Sequence, residues 1–147
     1  MQQVSQSPLK FLRYAIEEFN VQAPFPSSPE EFKNLNFAHE QNVNYFSDKN
    51  DPNIVRVDMQ LSMKAENTKL FYNLKLSGFF AIEEKDENLK AALITNGAPT
   101  ILYGIAREII LSFSFKTIYP PVVLQPVFFN PQQAQKETKD GFFKNRF

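Results

Sequence analysis

The segment from Pro99 to Lys116 constrains the fold of this chain more than any other stretch of the sequence. Its apolar residues occupy nearly the whole circumference of a helix, and only Arg107 and Glu108 interrupt them strongly. Such a helix must be covered on most sides, and a sheet in the same chain covers only one. The sequence therefore predicts that a second chain covers the rest. The predicted contact positions are Ile101, Leu102, Gly104, Ile105, Ile109 and Phe113.

In four segments before this helix, apolar and polar residues alternate. This pattern predicts an antiparallel sheet with one buried and one solvent-exposed face. The cleanest alternation runs from Ile54 to Ala65. Because the segments follow one another, we expect a meander with the helices on one side of it. The predicted strands begin at Pro8, Asn34, Ile54 and Lys69 and end near Val21, Phe46, Ala65 and Ile82.

Several local signals interrupt this pattern. In the first strand the apolar phase shifts, and a bulge near Glu17 and Glu18 would keep both apolar sets on one face. The proline-rich stretch Ala23–Phe32 predicts a surface crossover, and Gly78 predicts a bend or a close backbone approach. Asn96-Gly97 predicts the end of a short helical segment before the long helix begins.

The chain beyond the long helix reads as extended and then helical. Tyr119-Pro120-Pro121 ends the long helix, and Val122–Phe129 is predicted to be extended. Gln132–Asp140 has helical propensity but almost no apolar face. We predict an α+β fold with a long and a shorter C-terminal helix, as a single domain over 1–147 with flexible ends at 1–7 and 142–147.

Composition excludes several classes of function. The formal net charge is zero, which argues against non-specific binding to nucleic acid or lipid, and the chain has no cysteine for disulfides or thiolate sites. His39 is the sole histidine and has no partners at ligand spacing, so a structural role is favoured over a metal or catalytic one. No phosphate loop or nucleophile elbow is present, which predicts a protein that is not an enzyme and needs no metal or cofactor. Without an apolar run fit for a signal peptide or a membrane span, we expect a cytoplasmic protein.

Phenylalanine is the anomaly in the composition. The chain holds 16 phenylalanines and 5 tyrosines, more large rings than a small domain easily hides. Some of these rings are expected at a subunit interface or on a binding surface.

The order of elements and several local motifs together resemble the SecB family of protein-export chaperones. The best match is Ala98–Phe129, with Pro99, the Ala106-Arg107-Glu108 centre, Tyr119-Pro120 and the Leu124–Phe129 end. Gly78–Ile82 and Phe19–Pro24 are similar to two further family motifs. The resemblance covers about Leu9 to Asn130 and implies a cytosolic homotetramer, a dimer of dimers, that binds unfolded polypeptides.

The resemblance also implies a docking face for the SecA motor on the exposed side of the sheet. The corresponding positions are Glu18, Gln22, Phe71 and Asn73. Only Glu18 is acidic, whereas family members use acidic residues, and Lys69 and Lys75 make this face more basic. Both a SecA partner and a dedicated client, such as an antitoxin, therefore remain open.

The sequence and the resemblance lead to one principal hypothesis. We expect an ATP-independent holdase that buries apolar segments of non-native protein on exposed side chains. A structural subunit with one fixed protein partner is the alternative from another class. The predicted client-binding residues are Phe25, Phe32, Leu35, Phe37, Phe128, Phe129 and Phe142.

Overall fold

The computed structural model describes residues 6–33, 35–127 and 129. The predicted C-terminal helix at Gln132–Asp140 and the predicted flexible ends lie outside these residues, except for Gln6 and Ser7. Four strands form one antiparallel sheet. They are β1 (Leu9–Gln22), β2 (Phe37–Ser47), β3 (Ile54–Ala65) and β4 (Phe71–Ile82).

The strand order is β1-β4-β3-β2, so the predicted meander holds for β2, β3 and β4 only. β1 pairs with β4 rather than with β2, and the chain crosses to the opposite edge of the sheet after Gln22. The crossover follows from the proline-rich connection, which is too irregular to form the hairpin that a full meander requires. The fold class, a four-stranded antiparallel sheet with helices on one side, is confirmed.

β1 contains two bulges, and they determine which of its residues face the helix. The register with β4 shifts between Ile16 and Glu18, as predicted, and also between Phe11 and Arg13, which was not predicted. The shifts place six apolar residues of β1 opposite the inner-face positions of β4 from one end of the strand to the other. The inner-face residues are Leu9, Phe11, Tyr14, Ile16, Phe19 and Val21.

The two helices and the turn between them form one continuous helical segment, without a break. α1 (Glu87–Ala92) continues through a π-helical turn, Leu93–Gly97, into α2 (Ala98–Ser114). The predicted stop at Asn96-Gly97 is wrong, because Gly97 has helical backbone angles, φ −65° and ψ −51°. A Cβ atom at Gly97 would lie 2.9 Å from Leu9 Cδ2, so close packing against β1 accounts for the glycine.

α2 packs across β3 and β4 through the fully buried side chains of Leu102, Ala106 and Ile110. The predicted close approach at Gly78 is confirmed, since a Cβ atom there would lie 3.0 Å from Leu102 Cδ1 and 2.8 Å from Phe80 Cε2. The core therefore lies between one face of the sheet and one side of α2, and the opposite face of the sheet stays outside it.

Candidate functional site

An open groove of about 600 Å³ lies where the crossover, the inner face of β2 and the segment after α2 meet. Phe32, Lys33 and Leu35 of the crossover form one wall. Phe37, His39 and Met63 belong to the sheet, and Tyr103 belongs to α2. The segment after the helix supplies Pro120, Pro121, Val122, Val123, Leu124, Gln125 and Val127. The lining is predominantly apolar and open, as a site for large apolar side chains requires.

Tyr119 fixes the crossover wall of the groove to the end of the long helix. Its Oη donates a hydrogen bond of 2.8 Å to the carbonyl of Pro24, 95 positions earlier in the chain. Its ring centroid lies 5.6 Å from that of Phe32, which lines the groove. The aromatic residue before Pro120 therefore sets where the crossover begins and how Phe32 is presented.

Two hydroxyl groups of α2 hold the opposite wall. Ser114 Oγ accepts a hydrogen bond of 2.9 Å from the backbone N–H of Val122 and donates one of 2.7 Å to the carbonyl of Leu111. Tyr103 Oη donates a hydrogen bond of 2.9 Å to the carbonyl of Gln125. These bonds order a segment that has no regular secondary structure, so the wall persists without a strand.

The groove favours neutral groups. The side chain of His39 stays exposed at the groove, but partial desolvation lowers its pKa, so its neutral form predominates near neutral pH. Burial also raises the pKa of Tyr103, against the opposing charge of Arg107. Lys33 extends into solvent and pairs with the exposed Glu30 at 3.8 Å. Among the described residues, no acidic side chain lines the groove and no cluster of side chains could hold a metal ion.

β2 adds a second feature beside the groove, because it is an edge strand of the sheet. It pairs with β3 over 11 residues without a bulge, and no described strand pairs with its other edge. An unprotected edge presents backbone N–H and C=O groups to an additional strand. Since Phe37 and His39 project from β2 into the groove, an added strand would carry alternate side chains along it.

The structure brings together some of the predicted client-binding residues. Phe32, Leu35 and Phe37 line the groove, and the ring of Phe129 packs edge-on against Tyr103 at 6.1 Å. Phe25 is 83% exposed but lies outside the groove lining. Phe128 and Phe142 lie outside the described residues.

Sequence reasoning missed the lining contributed by His39, Met63 and Tyr103, and by residues 120–125 and 127. His39 lies on the inner face of β2 as predicted, but it is exposed at the groove rather than packed in the core. Alternation identified the faces of the strands correctly. It did not indicate that α2 leaves this end of the inner face uncovered.

The four predicted docking residues share the outer face of β1 and β4. Glu18 pairs with Lys75 at 3.3 Å and accepts a hydrogen bond from Asn20 Nδ2 at 2.6 Å. Asn73 is buried, and its Oδ1 accepts hydrogen bonds from Gln60 and Ser62. Gln22 lies opposite Phe71 in the register. The only carboxylate among the four predicted residues is thus partly neutralised by a lysine.

The predicted oligomer positions on α2 fall into two groups. Ile101 and Gly104 are exposed, and Ile105 and Ile109 are half-buried. Leu102 is fully buried beneath the helix, and Phe113 packs edge-on against Phe19 at 5.3 Å. The first group forms an accessible apolar surface, whereas the second contributes to the core of its own chain.

Comparison with known proteins identifies the family. A model of the SecB family, described as preprotein translocase subunit SecB, matches residues 5–139. The chain belongs to the SecB family. The match extends from the first strand to beyond α2, and so includes every element that forms the groove.

Individual SecB relatives are distant. The chain is 29% identical over 102 residues to the protein-export protein SecB of a Wolbachia strain from Drosophila simulans, covering 62% of this chain and 60% of that protein. It is 30% identical over 97 residues to the SecB of Anaplasma phagocytophilum, with 60% and 61% of the two chains covered. The chain thus aligns with about 60% of the length of the relatives it matches.

A solved structure has a similar fold. It is a SecB-like chaperone of Mycobacterium tuberculosis in complex with a peptide from an antitoxin, and it is 13% identical to this chain. The TM-score is 0.63, and the match covers 81% of this chain and 87% of that one. At this identity the comparison establishes the fold alone. Among the described residues, no helix is long and apolar enough to cross a membrane.

Proposed function

We propose that this SecB-family chain is an ATP-independent chaperone that holds non-native polypeptides in the groove between the crossover, β2 and the segment after α2. The observation that carries the proposal is an apolar groove alongside a strand edge that no described strand covers. Apolar client side chains would enter the groove, and the extended client backbone would hydrogen-bond to the edge of β2. The proposal needs no nucleotide, metal or catalytic group.

The energetics fit a holding role. Each Å² of apolar client surface removed from water contributes about 25 cal/mol, so a few side chains provide several kcal/mol. Backbone hydrogen bonds to β2 are largely independent of sequence, and they would allow the groove to accept many different segments. Folding of the client would withdraw those side chains, which gives release without an energy source.

Suppression of aggregation tests the proposal. A chemically denatured client protein is diluted into buffer with and without the full chain, and light scattering is followed. We expect the chain to suppress scattering and Val123→Asp, in the groove, to lose most of this effect. Leu89→Asp on α1 is the matched control, because Val123 and Leu89 are both exposed, at 63% and 46%, but only Val123 lines the groove. Equal activity of the two variants, or no suppression by the unmodified chain, would refute the hypothesis that this groove binds client polypeptides.

The proposal includes assembly into a homotetramer, a dimer of dimers, acting in the cytoplasm as the family resemblance implies. Its seam would use Ile101, Gly104, Ile105 and Ile109 of α2, the accessible part of the predicted surface. A structural subunit with one fixed partner is the competing hypothesis. A homotetramer that stays in solution alone supports the chaperone, whereas a chain that is insoluble without a partner supports the subunit.

Two downstream partners remain proposals. Docking on SecA through Glu18, Gln22, Phe71 and Asn73 has weak electrostatic support, since Lys75 pairs with the only carboxylate among them. A dedicated client such as an antitoxin is the second possibility. Binding of purified SecA that is lost in Glu18→Lys would favour the first.

A further inference from the structure

A row of alternating phenylalanine and arginine side chains crosses the outer face of the sheet. Phe46 of β2 lies opposite Arg56 of β3, which lies opposite Phe79 of β4, which lies opposite Arg13 of β1. Arg56 Cζ is 4.2 Å from the centroid of the Phe46 ring, and Arg13 Cζ is 4.8 Å from that of Phe79. One cation–π pair therefore joins β1 to β4, and a second joins β2 to β3.

The two arginines differ in how they are held. Arg56 is half-buried, and its Nε lies 3.0 Å from Asp58 Oδ1, which also accepts a hydrogen bond of 2.7 Å from Ser77 Oγ. Arg13 is exposed, and no carboxylate of the described residues lies within 4.0 Å of its guanidinium. A guanidinium stacked on a ring keeps its in-plane N–H donors directed outward, where they fit a carboxylate.

The neighbouring lysines on the same strands already have acidic partners among the described residues, unlike Arg13. Lys10 pairs with Glu83 at 3.1 Å, and Lys75 pairs with Glu18 at 3.3 Å. Arg13 is thus the one cation of β1 without an acidic partner in the described part of the chain. The adjoining outward positions, Ala15 and Ala81, are small, so the Phe79 ring borders a shallow surface.

We infer that the β1 end of this row, formed by Arg13 and Phe79, docks an acidic segment of a partner protein. Arginine and aromatic side chains are the residue types that dominate binding energy at protein interfaces. α2 packs against the inner face, and no described element packs against the outer one. A partner carboxylate would pair with Arg13, and an adjacent apolar side chain would cover Phe79.

The charge of this face favours a protein partner over nucleic acid. Glu18 and Asp58 lie on the same face, and the chain has no net charge. Nucleic acid binding requires a continuous track of cations along the phosphates, whereas an acidic peptide can place one carboxylate at one arginine. Because the groove is built on the inner face, a client and this partner would bind at the same time. The site is therefore independent of the proposed client binding.

Peptide binding by the full chain tests the inference. The probe is a fluorescein-labelled 12-residue peptide of Asp, Glu and Ser with a single Phe, too polar to fill the apolar groove, and a second peptide has lysine in place of every acid. We expect fluorescence anisotropy to show binding of the acidic peptide only. Arg13→Glu should weaken that binding about tenfold or more, because a charge-assisted bidentate pair is replaced by repulsion. Arg13→Lys should retain part of the affinity.

A groove variant separates this site from client binding. Val123→Asp should leave the affinity for the acidic peptide unchanged. Loss of binding in Val123→Asp but not in Arg13→Glu would overturn the inference, and so would the absence of binding by the unmodified chain. Binding of a labelled oligothymidylate that is lost in Arg13→Glu would overturn it in favour of nucleic acid.

Discussion

Ser114 joins the end of α2 to one wall of the groove through a single hydroxyl group. Ser114→Ala leaves the buried N–H of Val122 without its acceptor, which should lower the free energy of unfolding by about 1–3 kcal/mol. Ser112→Ala is the control, since its hydroxyl donates only to the exposed Glu108 carboxylate and its loss should change stability by less than about 0.5 kcal/mol. Urea titration measures both variants, and similar losses would contradict the role given to Ser114.

His39 should make client binding depend on pH. Partial desolvation lowers its pKa in the folded chain below the ordinary value of 6.5. The stability that the neutral imidazole gives the folded chain is therefore complete above pH 6.5 and is lost as pH falls through the lower folded pKa. A bound apolar client buries the ring further and should disfavour protonation more. We therefore expect an apolar peptide to bind more weakly at about pH 5.5 than at about pH 7.5.

His39→Gln is the control for this pH dependence, because an amide does not titrate. Tyr103 also lines the groove, and its raised pKa keeps it neutral across this range, whereas Lys33 pairs with Glu30 in solvent. Fluorescence anisotropy measures the affinity of the unmodified chain and of His39→Gln for the apolar peptide at both pH values. Persistence of the pH effect in His39→Gln would assign it to another group.

Individual residues illustrate what the sequence could and could not predict. Alternation placed Phe37 and His39 on the inner face of β2, and both are there. Whether an inner-face residue is buried depends on where α2 and the segment after it pass over the sheet. That placement depends on long-range bonds such as Tyr119 to Pro24, which no local pattern encodes.

At the scale of elements, Gly78 sets the distance between α2 and the sheet. Gly78→Ala introduces a Cβ about 3 Å from Leu102 Cδ1 and from the Phe80 ring, and such overpacking should cost about 1–3 kcal/mol. Leu102→Ala alone should cost about 2–5 kcal/mol by leaving a cavity. The double variant should lose less than the sum, because each change relieves the other. Additive losses in a urea titration would show that the two side chains do not share space.

The packing of β1 against the helical segment explains why the helix-stop signal at Asn96-Gly97 was misleading. Asn-Gly commonly ends a helix because glycine adopts positive φ easily. Gly97 instead has negative φ, and its missing side chain admits Leu9 of β1. The bulge near Glu17 was predictable because it restores a visible apolar phase, whereas the packing of Gly97 depends on a strand almost 90 positions earlier.

At the scale of the whole molecule, the described part of the chain leaves apolar surface of β1 and α2 uncovered. α2 runs alongside β1, since Gly97 contacts Leu9 at one end and Phe113 contacts Phe19 at the other. Between these contacts Tyr14 and Ile16 on the inner face of β1 remain 44% and 47% exposed. Ile101, Ile105 and Ile109 of α2 add to this surface. The helical half was predicted from the sequence, but the contribution of β1 depends on its two bulges.

We expect this combined surface to be the seam of the proposed oligomer. A stable interface buries about 800 Å² on each partner, an area that one face of a helix and an adjoining strand can supply together. Ile101→Asp and Ile16→Asp place an unpaired charge in this seam and should each lower the assembled mass measured by sedimentation. Ile118→Asp is the control, because Ile118 is comparably exposed, at 46%, and lies beyond the end of α2. A monomeric unmodified chain, or equal dissociation by the control, would show that another surface or none mediates assembly.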